Sequence, residues 1–548
     1  MAANDLHLTP VSQENRRGSH QPVAEDGTPV HRAGTELCAI LERGFARTSS
    51  PFNIGSVMWR GRPLSLLNES GRMRKLRRVI TIQSKTADMI RNKIGTQVFG
   101  PQLELPLAVE AVTPQSNGIG TFLDPAFARN KSLPIHRWVP WIAGFSADFV
   151  KDAITRYTNK KSTILDPFAG VGTTLVEGQM SGHSVIGFEI NPYAALASRI
   201  KTIGYWYDAE KLEHSIAILQ SAYKEKERNN YIPVSEIPPG FKTRNPFYSP
   251  AVLRKVLIIQ DLIAGTKDAP VRDLFRLAFA ATMVRYSNYS YEPSLGQRRS
   301  SGKPDVLDHP VLATVTSKLQ EMVHDIHWLQ STLPKKPKRA RVIADTIFSS
   351  DRLLASNSID LVVTSPPYLN NYHYNRNTRP QVYWLGFASG PDDMSRLETM
   401  NFGKYWQTVR DRNKMDLEFH LPGSDLSEKL ETIANLNSER GPYGGLGWAN
   451  YAVSYFNDCN KLARCLKKLL KRNGIALVVI GNSIIQGVEI ATDKYFAEIC
   501  TNSGLIVDAI ETPRSLRVGN SIIKSSVRVA KAESNHRLYE AVVILRKR

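Results

Sequence analysis

The stretch Thr163-Ile164-Leu165-Asp166-Pro167-Phe168-Ala169-Gly170-Val171-Gly172-Thr173-Thr174 decides how this chain folds. A short apolar run ends in an acidic residue, and a turn containing proline and glycine then leads into helical spacing. Such a run, apolar throughout, suits a strand buried on both faces. Gly170 and Gly172 allow close backbone approach where a side chain would clash. Residues 173–180 read as the helix after the turn, and Ser184-Val185-Ile186-Gly187-Phe188 as the next strand, closed by Glu189. Residues 194–201 resume helix, and a helix-spaced segment at 145–158 comes before the first strand. Strand, helix and parallel strand in succession form the unit of a doubly wound α/β sheet.

Outward from this unit the sheet pattern breaks. Residues 205–335 are mostly helical in spacing, for example at 251–263 and 271–285. They include the polar-aromatic stretch Tyr286-Ser287-Asn288-Tyr289-Ser290-Tyr291 and then Gln297-Arg298-Arg299. The basic run Lys335-Lys336-Pro337-Lys338-Arg339-Ala340-Arg341 reads as a solvated connector. Sheet pattern returns at Val342-Ile343-Ala344-Asp345 and at Ile359-Asp360-Leu361-Val362-Val363, which delivers Thr364-Ser365-Pro366-Pro367-Tyr368. A helix is expected over 451–471 with Leu462, Cys465, Leu466, Leu469 and Leu470 on one stripe. Asn473-Gly474 is expected to stop it, with strands at 475–480 and through 539–545.

Composition narrows the function. A formal net charge of +20 and a pI near 9.7 favour a polyanionic partner, with nucleic acid first, although excess lysine can also serve solubility alone. The cysteines Cys38, Cys459, Cys465 and Cys500 show no Cys-x-x-Cys spacing. That argues against a zinc ribbon or disulfide framework, implies no metal, and fits a reducing cytoplasm. No apolar run approaches the ~20 residues that span a bilayer. The first residues lack the order of a secretory signal. A cytoplasmic protein without membrane attachment is expected. Residues 1–50 read as a disordered leader. Residues 51–134 read as a basic extension, whose Arg60, Arg62, Arg72, Arg74, Lys75, Arg77 and Arg78 fit a basic arm and a solvated helix face alike.

A strand ending in an acidic residue, a glycine turn and a helix commonly hold an adenosyl ligand, and Glu189 is placed to accept from ribose hydroxyls. No Gly-Lys-Ser/Thr is present, which excludes a phosphate-binding P-loop. Leu175 leaves the Gly-x-Gly-x-x-Gly fingerprint incomplete. Asp166 to Thr174 resembles motif I of the DNA amino-methyltransferases, the enzymes that make N4-methylcytosine and N6-methyladenine. Glu189-Ile190-Asn191-Pro192 is similar to their motif II, and Ile135-His136-Arg137-Trp138 through Phe145-Ser146 is more weakly similar to motif X, which packs around the methionine end of the cofactor. The resemblance implies a Rossmann-like methyltransferase sheet, S-adenosyl-L-methionine as cofactor, and a cofactor-binding set of Asp166, Phe168, Ala169, Gly170, Gly172, Thr173, Glu189, Asn191 and Asp345.

Thr364-Ser365-Pro366-Pro367-Tyr368 resembles motif IV of the same family, so Ser365, Pro366, Pro367 and Tyr368 are the catalytic candidates. An exocyclic amine is a poor nucleophile because its lone pair is delocalised into the ring. Acceptors at Ser365 Oγ and the Pro366 carbonyl can draw that nitrogen toward tetrahedral geometry, and the Pro-Pro step has no N–H to compete. Tyr368 can stack on a base rotated out of the duplex. Serine at the first position accompanies N4-cytosine methylation in the family, while Asp or Asn accompanies N6-adenine, which stays as the alternative. Cytosine C5 chemistry needs a thiolate, typically in a Pro-Cys pair, and no cysteine here follows proline. The stretch from Leu369 to Arg379 is dense in stacking and hydrogen-bonding groups, and Gly481-Asn482-Ser483 is a further candidate for the target pocket.

The resemblance departs from the commoner Ser-Pro-Pro-Tyr arrangement, because the cofactor half comes first. It divides the chain into a cofactor half at 135–204, a mainly helical insert at 205–340 as candidate target-recognition region, and a catalytic half at 341–548. Region 388–450 is a possible contributor to recognition. Arg285, Arg298 and Arg299 read equally as phosphate or guanine contacts and as solvated charges. The partners implied are double-stranded DNA and a companion restriction endonuclease. The competing readings are an RNA methyltransferase and a non-catalytic module that binds DNA.

Overall fold

The computed structural model describes residues 58–59, 62–63, 122–123, 125, 127–141, 144–291, 294–333, 335–369, 373–517 and 537–548. The leader, nearly all of the basic extension, and Asn370, Asn371 and Tyr372 of the post-motif stretch lie outside the described residues. The chain divides into two units, 1–110 and 111–548. In the first, Met58–Trp59 pairs antiparallel with Arg62–Pro63.

The second unit is built on a seven-stranded sheet. Its strands are β1 (Thr163–Asp166), β2 (Ser184–Phe188), β3 (Arg341–Ile343), β4 (Ile359–Thr364), β5 (Leu470–Gly481), β6 (Ile506–Arg517) and β7 (Arg537–Arg546). They lie in the order β6-β7-β5-β4-β1-β2-β3. Strands β5 through β3 run parallel, while β7 is antiparallel to both β5 and β6. This is a doubly wound α/β sheet. Its order reverses between β1 and β4, where Ile164 pairs with Leu361 and Leu165 with Val362. Ligands in open α/β sheets bind outside the carboxyl ends of the strands at such a switch point.

Both faces of the sheet are covered, as the uninterrupted apolar runs require. Ile164, Leu361 and Val363 pack with helix α1 (Ala147–Tyr157), while Leu165 and Val362, pointing the other way, pack with the long helix over Gly445–Leu469. Helices α2 (Thr173–Met180) and α3 (Pro192–Thr202) follow β1 and β2. The segment expected as a helical insert contains α4 (Ala209–Arg228), α5 (Pro250–Gly265), α6 (Ala269–Thr282) and α7 (Val311–Thr332), with a short hairpin of Tyr289–Tyr291 against Leu295–Gln297. These helices share one apolar core with α3 and Trp138, whose indole Nε1 donates to Asp325 Oδ2 of α7 at 2.9 Å.

Two expectations need correction. The helix assigned to 451–471 spans Gly445–Leu469, and Leu470 already belongs to β5. Asn473, with φ 62°, donates its N–H to the Lys547 carbonyl, so Asn-Gly makes an excursion within the strand rather than a helix stop. The basic connector keeps Lys335, Lys336, Lys338, Arg339 and Arg341 exposed, as its charge suggests, and is anchored at two points. Gln179 Nε2 donates to the Lys338 carbonyl at 2.6 Å, and the Arg339 guanidinium lies 5.2 Å from the Trp206 ring. Among the described residues, no helix is long and apolar enough to cross a membrane.

Candidate active site

The turns after β1 and β4 start side by side because those strands are neighbours. Asp166, fully buried at the end of β1, accepts at Oδ1 from Thr364 Oγ1 (2.7 Å) and from the Phe168 N–H (3.0 Å). One carboxylate therefore ties the two turns together across 198 positions of sequence. Burial raises its pKa to about 6, opposed by those hydrogen bonds. Its Oδ2 is buried without a partner.

Above this brace lies a cleft with about 850 Å³ of empty space, counted to its open mouth. That is within the size range of small-molecule sites. Of the residues singled out from sequence, Phe168, Ala169, Gly170, Thr173, Glu189, Asn191, Asp345, Ser365 and Pro367 line it. Asp166, Gly172, Pro366 and Tyr368 do not. Gly172 adopts φ 84°, and a Cβ there would sit 2.6 Å from Ser198 Oγ of α3, so its glycine serves helix packing beneath the cleft. The Tyr368 ring faces Gly481, where an added Cβ would approach within 3.0 Å of it. The Tyr368 hydroxyl is 3.4 Å from Ser365 Oγ and 3.2 Å from Glu540 Oε1. Ser483 Oγ donates to the Leu369 carbonyl, which places Gly481 and Ser483 in support of the Ser365 loop.

Glu189 follows β2. Its two oxygens accept from the Gly170 and Asn191 N–H groups, each at 2.7 Å, and burial pushes its pKa up to about 7. Each oxygen keeps a further lone pair for a ligand. Asn191 caps α3 by accepting from the Tyr193 and Ala194 N–H groups, and its Nδ2 donates to Thr378 Oγ1 at 2.7 Å. It joins the β2 turn to the segment after the Pro-Pro loop. Beneath the glycine turn, buried Lys201 Nζ donates to the Val171 carbonyl at 2.8 Å.

Several lining residues carried no individual signal in sequence. Trp141 and Phe145 come from the weakly matching stretch before α1, and Tyr374 from the stretch after the Pro-Pro loop. The rings of Trp141 and Tyr374 stack at 6.2 Å with an interplanar angle of 16°. Phe402, from the region entertained for target recognition, meets Phe168 edge-on at 5.1 Å. Its position in sequence has no periodicity that could have announced it. His373 accepts from the Arg376 N–H and caps a short helix, and burial lowers its pKa to about 4.

The donor set fits an adenosyl sulfonium. Among the described residues, the lining holds the carboxylates of Glu189 and Asp345 and no lysine or arginine. Phe168, Phe188, Ile347 and Phe402 supply an apolar flank. A cationic ligand with a diol and a flat ring matches that chemistry, and a polyphosphate does not.

Comparison with known proteins agrees. A family model described as DNA methylase, of the N6/N4 kind, matches residues 120–199. Type II methyltransferase M.BsoBI of Geobacillus stearothermophilus is 23% identical over 436 residues, covering 72% of this chain and 83% of its own. Type II methyltransferase M.AvaI of Nostoc sp. is 21% identical over 410 residues, covering 70% and 82%. A solved SAM-dependent methyltransferase from Methanosarcina mazei aligns at 8% identity and a TM-score of 0.25, covering 72% of this chain and 96% of that one.

Proposed function

We propose that the chain is a DNA amino-methyltransferase that methylates the exocyclic N4 amine of a cytosine rotated out of duplex DNA at a specific sequence, as the modification half of a restriction or related defence system. The methyl donor is S-adenosyl-L-methionine, which supplies an electrophilic sulfonium methyl. The observation that carries the proposal is that Glu189 and Ser365, on turns after strands of one parallel sheet, line a single cleft.

The roles follow from chemistry. Glu189 accepts from the ribose hydroxyls, Gly170 lets the backbone approach, and Phe168 with Phe402 borders the adenine ring. Asp345 adds an acceptor at the same end. Ser365 Oγ and the Pro366 carbonyl accept from the target amine and draw its nitrogen lone pair out of conjugation. Tyr368 holds Ser365 through its hydroxyl, while its ring packs on Gly481. Transfer then depends chiefly on proximity and alignment. The choice of cytosine N4 over adenine N6 rests on Ser365 standing where Asp or Asn accompanies adenine methylation in similar enzymes.

Nucleoside mass spectrometry of plasmid DNA incubated with protein and S-adenosylmethionine tests the proposal. N4-methylcytosine is the expected product. Ser365→Ala should lower its formation about a hundredfold or more, as loss of one positioned hydrogen-bonding group does, with S-adenosylhomocysteine affinity unchanged. An N6-methyladenine peak would overturn the choice of base, and no methylated deoxynucleoside would overturn the choice of substrate.

A further inference from the structure

Behind the Trp141–Tyr374 pair lies a second cavity, with about 1240 Å³ of empty space, that shares those two rings with the cofactor cleft. Its charge is reversed. Lys131, Arg285, Arg298 and Lys303 line it, with no carboxylate among the described lining residues. Tyr193, Tyr289 and Tyr291 add aromatic faces to those of Trp141 and Tyr374. Cations set among aromatic rings suit a phosphate attached to a flat heterocycle.

The wall also holds polar atoms that lack partners. Ser290 Oγ, Asn377 Nδ2 and Gln381 Oε1 are all buried without a hydrogen bond. The other ends of both amides are committed. Asn377 Oδ1 accepts from the Leu295 N–H at 2.9 Å, and Gln381 Nε2 donates to the Tyr291 hydroxyl at 3.1 Å. A donor at Asn377 and an acceptor at Gln381 are thereby held ready. Buried groups left unsatisfied are uncommon in native proteins, and three on side chains that border one cavity leave hydrogen-bonding capacity for a ligand there. Ser365 is not part of this wall, so the cavity is separate from the place where the target amine must react.

We infer that this cavity takes a second nucleotide of the DNA substrate, unstacked from its neighbours. The base lies among Tyr289, Tyr291 and the Asn377–Gln381 pair, and its phosphate lies against Arg285 and Arg298. This rests on the reading of DNA as substrate, and it assigns the hairpin beyond α6 to reading a position other than the methylated one.

The test uses the full-length protein saturated with S-adenosylhomocysteine, so that the cofactor cleft is filled. The four deoxynucleoside 5′-monophosphates and single-stranded oligonucleotides carrying each base are titrated by ligand-observed NMR and fluorescence anisotropy. At least one base should bind, and the double variant Arg285→Ala/Arg298→Ala should weaken it about tenfold or more by losing charge-assisted phosphate contacts. Retained affinity for S-adenosylhomocysteine reports that the variant is folded. Absence of binding by any of the four in the wild type, or equal binding in the variant, overturns the inference. Mononucleotide binding lost in the variant with unchanged affinity for DNA overturns the assignment to the DNA strand and leaves a free-nucleotide site. Plasmid methylation measured on the same preparations reports separately on the proposed reaction, so failure of one does not imply failure of the other.

Discussion

Both oxygens of Glu189 accept backbone N–H groups, and burial still lifts its pKa to about 7. In the proposed site its ionised form would be the stronger acceptor for a ribose diol. Because the pKa is raised, ionisation is lost as pH falls through about 7, and affinity for S-adenosylhomocysteine should fall about tenfold per pH unit below that point. The ligand-free fold carries the opposite sign, since a raised carboxyl pKa favours folding at low pH and loses that contribution as pH rises from the ordinary glutamate value of 4.5 toward 7. Calorimetry from pH 5.5 to 8 separates the two, and a flat affinity profile would show that Glu189 does not face the diol. The residue types were legible in sequence, since an acidic residue after each of two consecutive strands marks the loop. The division between Glu189, which lines the cleft, and Asp166, which braces Thr364 beneath it, was not, because both follow identical local patterns.

At the scale of elements, helices α2 and α3 approach at Gly172, where a Cβ would stand 2.6 Å from Ser198 Oγ and 3.2 Å from its Cα. With φ at 84°, Gly172→Ala adds backbone strain to overpacking. Each effect costs about 1–3 kcal/mol, so the variant should lose about 2 kcal/mol or more of stability in denaturant unfolding. An unchanged midpoint would contradict the packing described. Helices and strands near the glycine turn were readable because their signals are local: β1, α2 and β2 lie where apolar spacing and turn residues put them. The start of β5 was misread because Leu470 continues the helical stripe in sequence but enters the sheet beside Ile359, a pairing with no local signature.

For the molecule as a whole, the net charge of +20 and the four cations around the second cavity predict salt-sensitive association with DNA. A contact with ~6 phosphates gives a slope of about −5 in log affinity against log salt. Anisotropy measurements between 50 and 300 mM salt, in the range where such effects are large, check this, and a slope near zero would remove the electrostatic case for a DNA partner.

The sequence by itself determined the two loops, the strands that feed them and the chemistry each offers, because hydrophobic period and turn residues act within a few positions of one another. That Glu189 and Ser365 share a cleft emerged from the three-dimensional packing alone, since it follows from β2 and β4 flanking β1 at the point where strand order reverses. The same non-local packing brings in Trp141, Tyr374 and Phe402 as walls and opens a basic cavity behind them. Strand order depends on which distant faces bury each other, and no stretch of sequence encodes that alone.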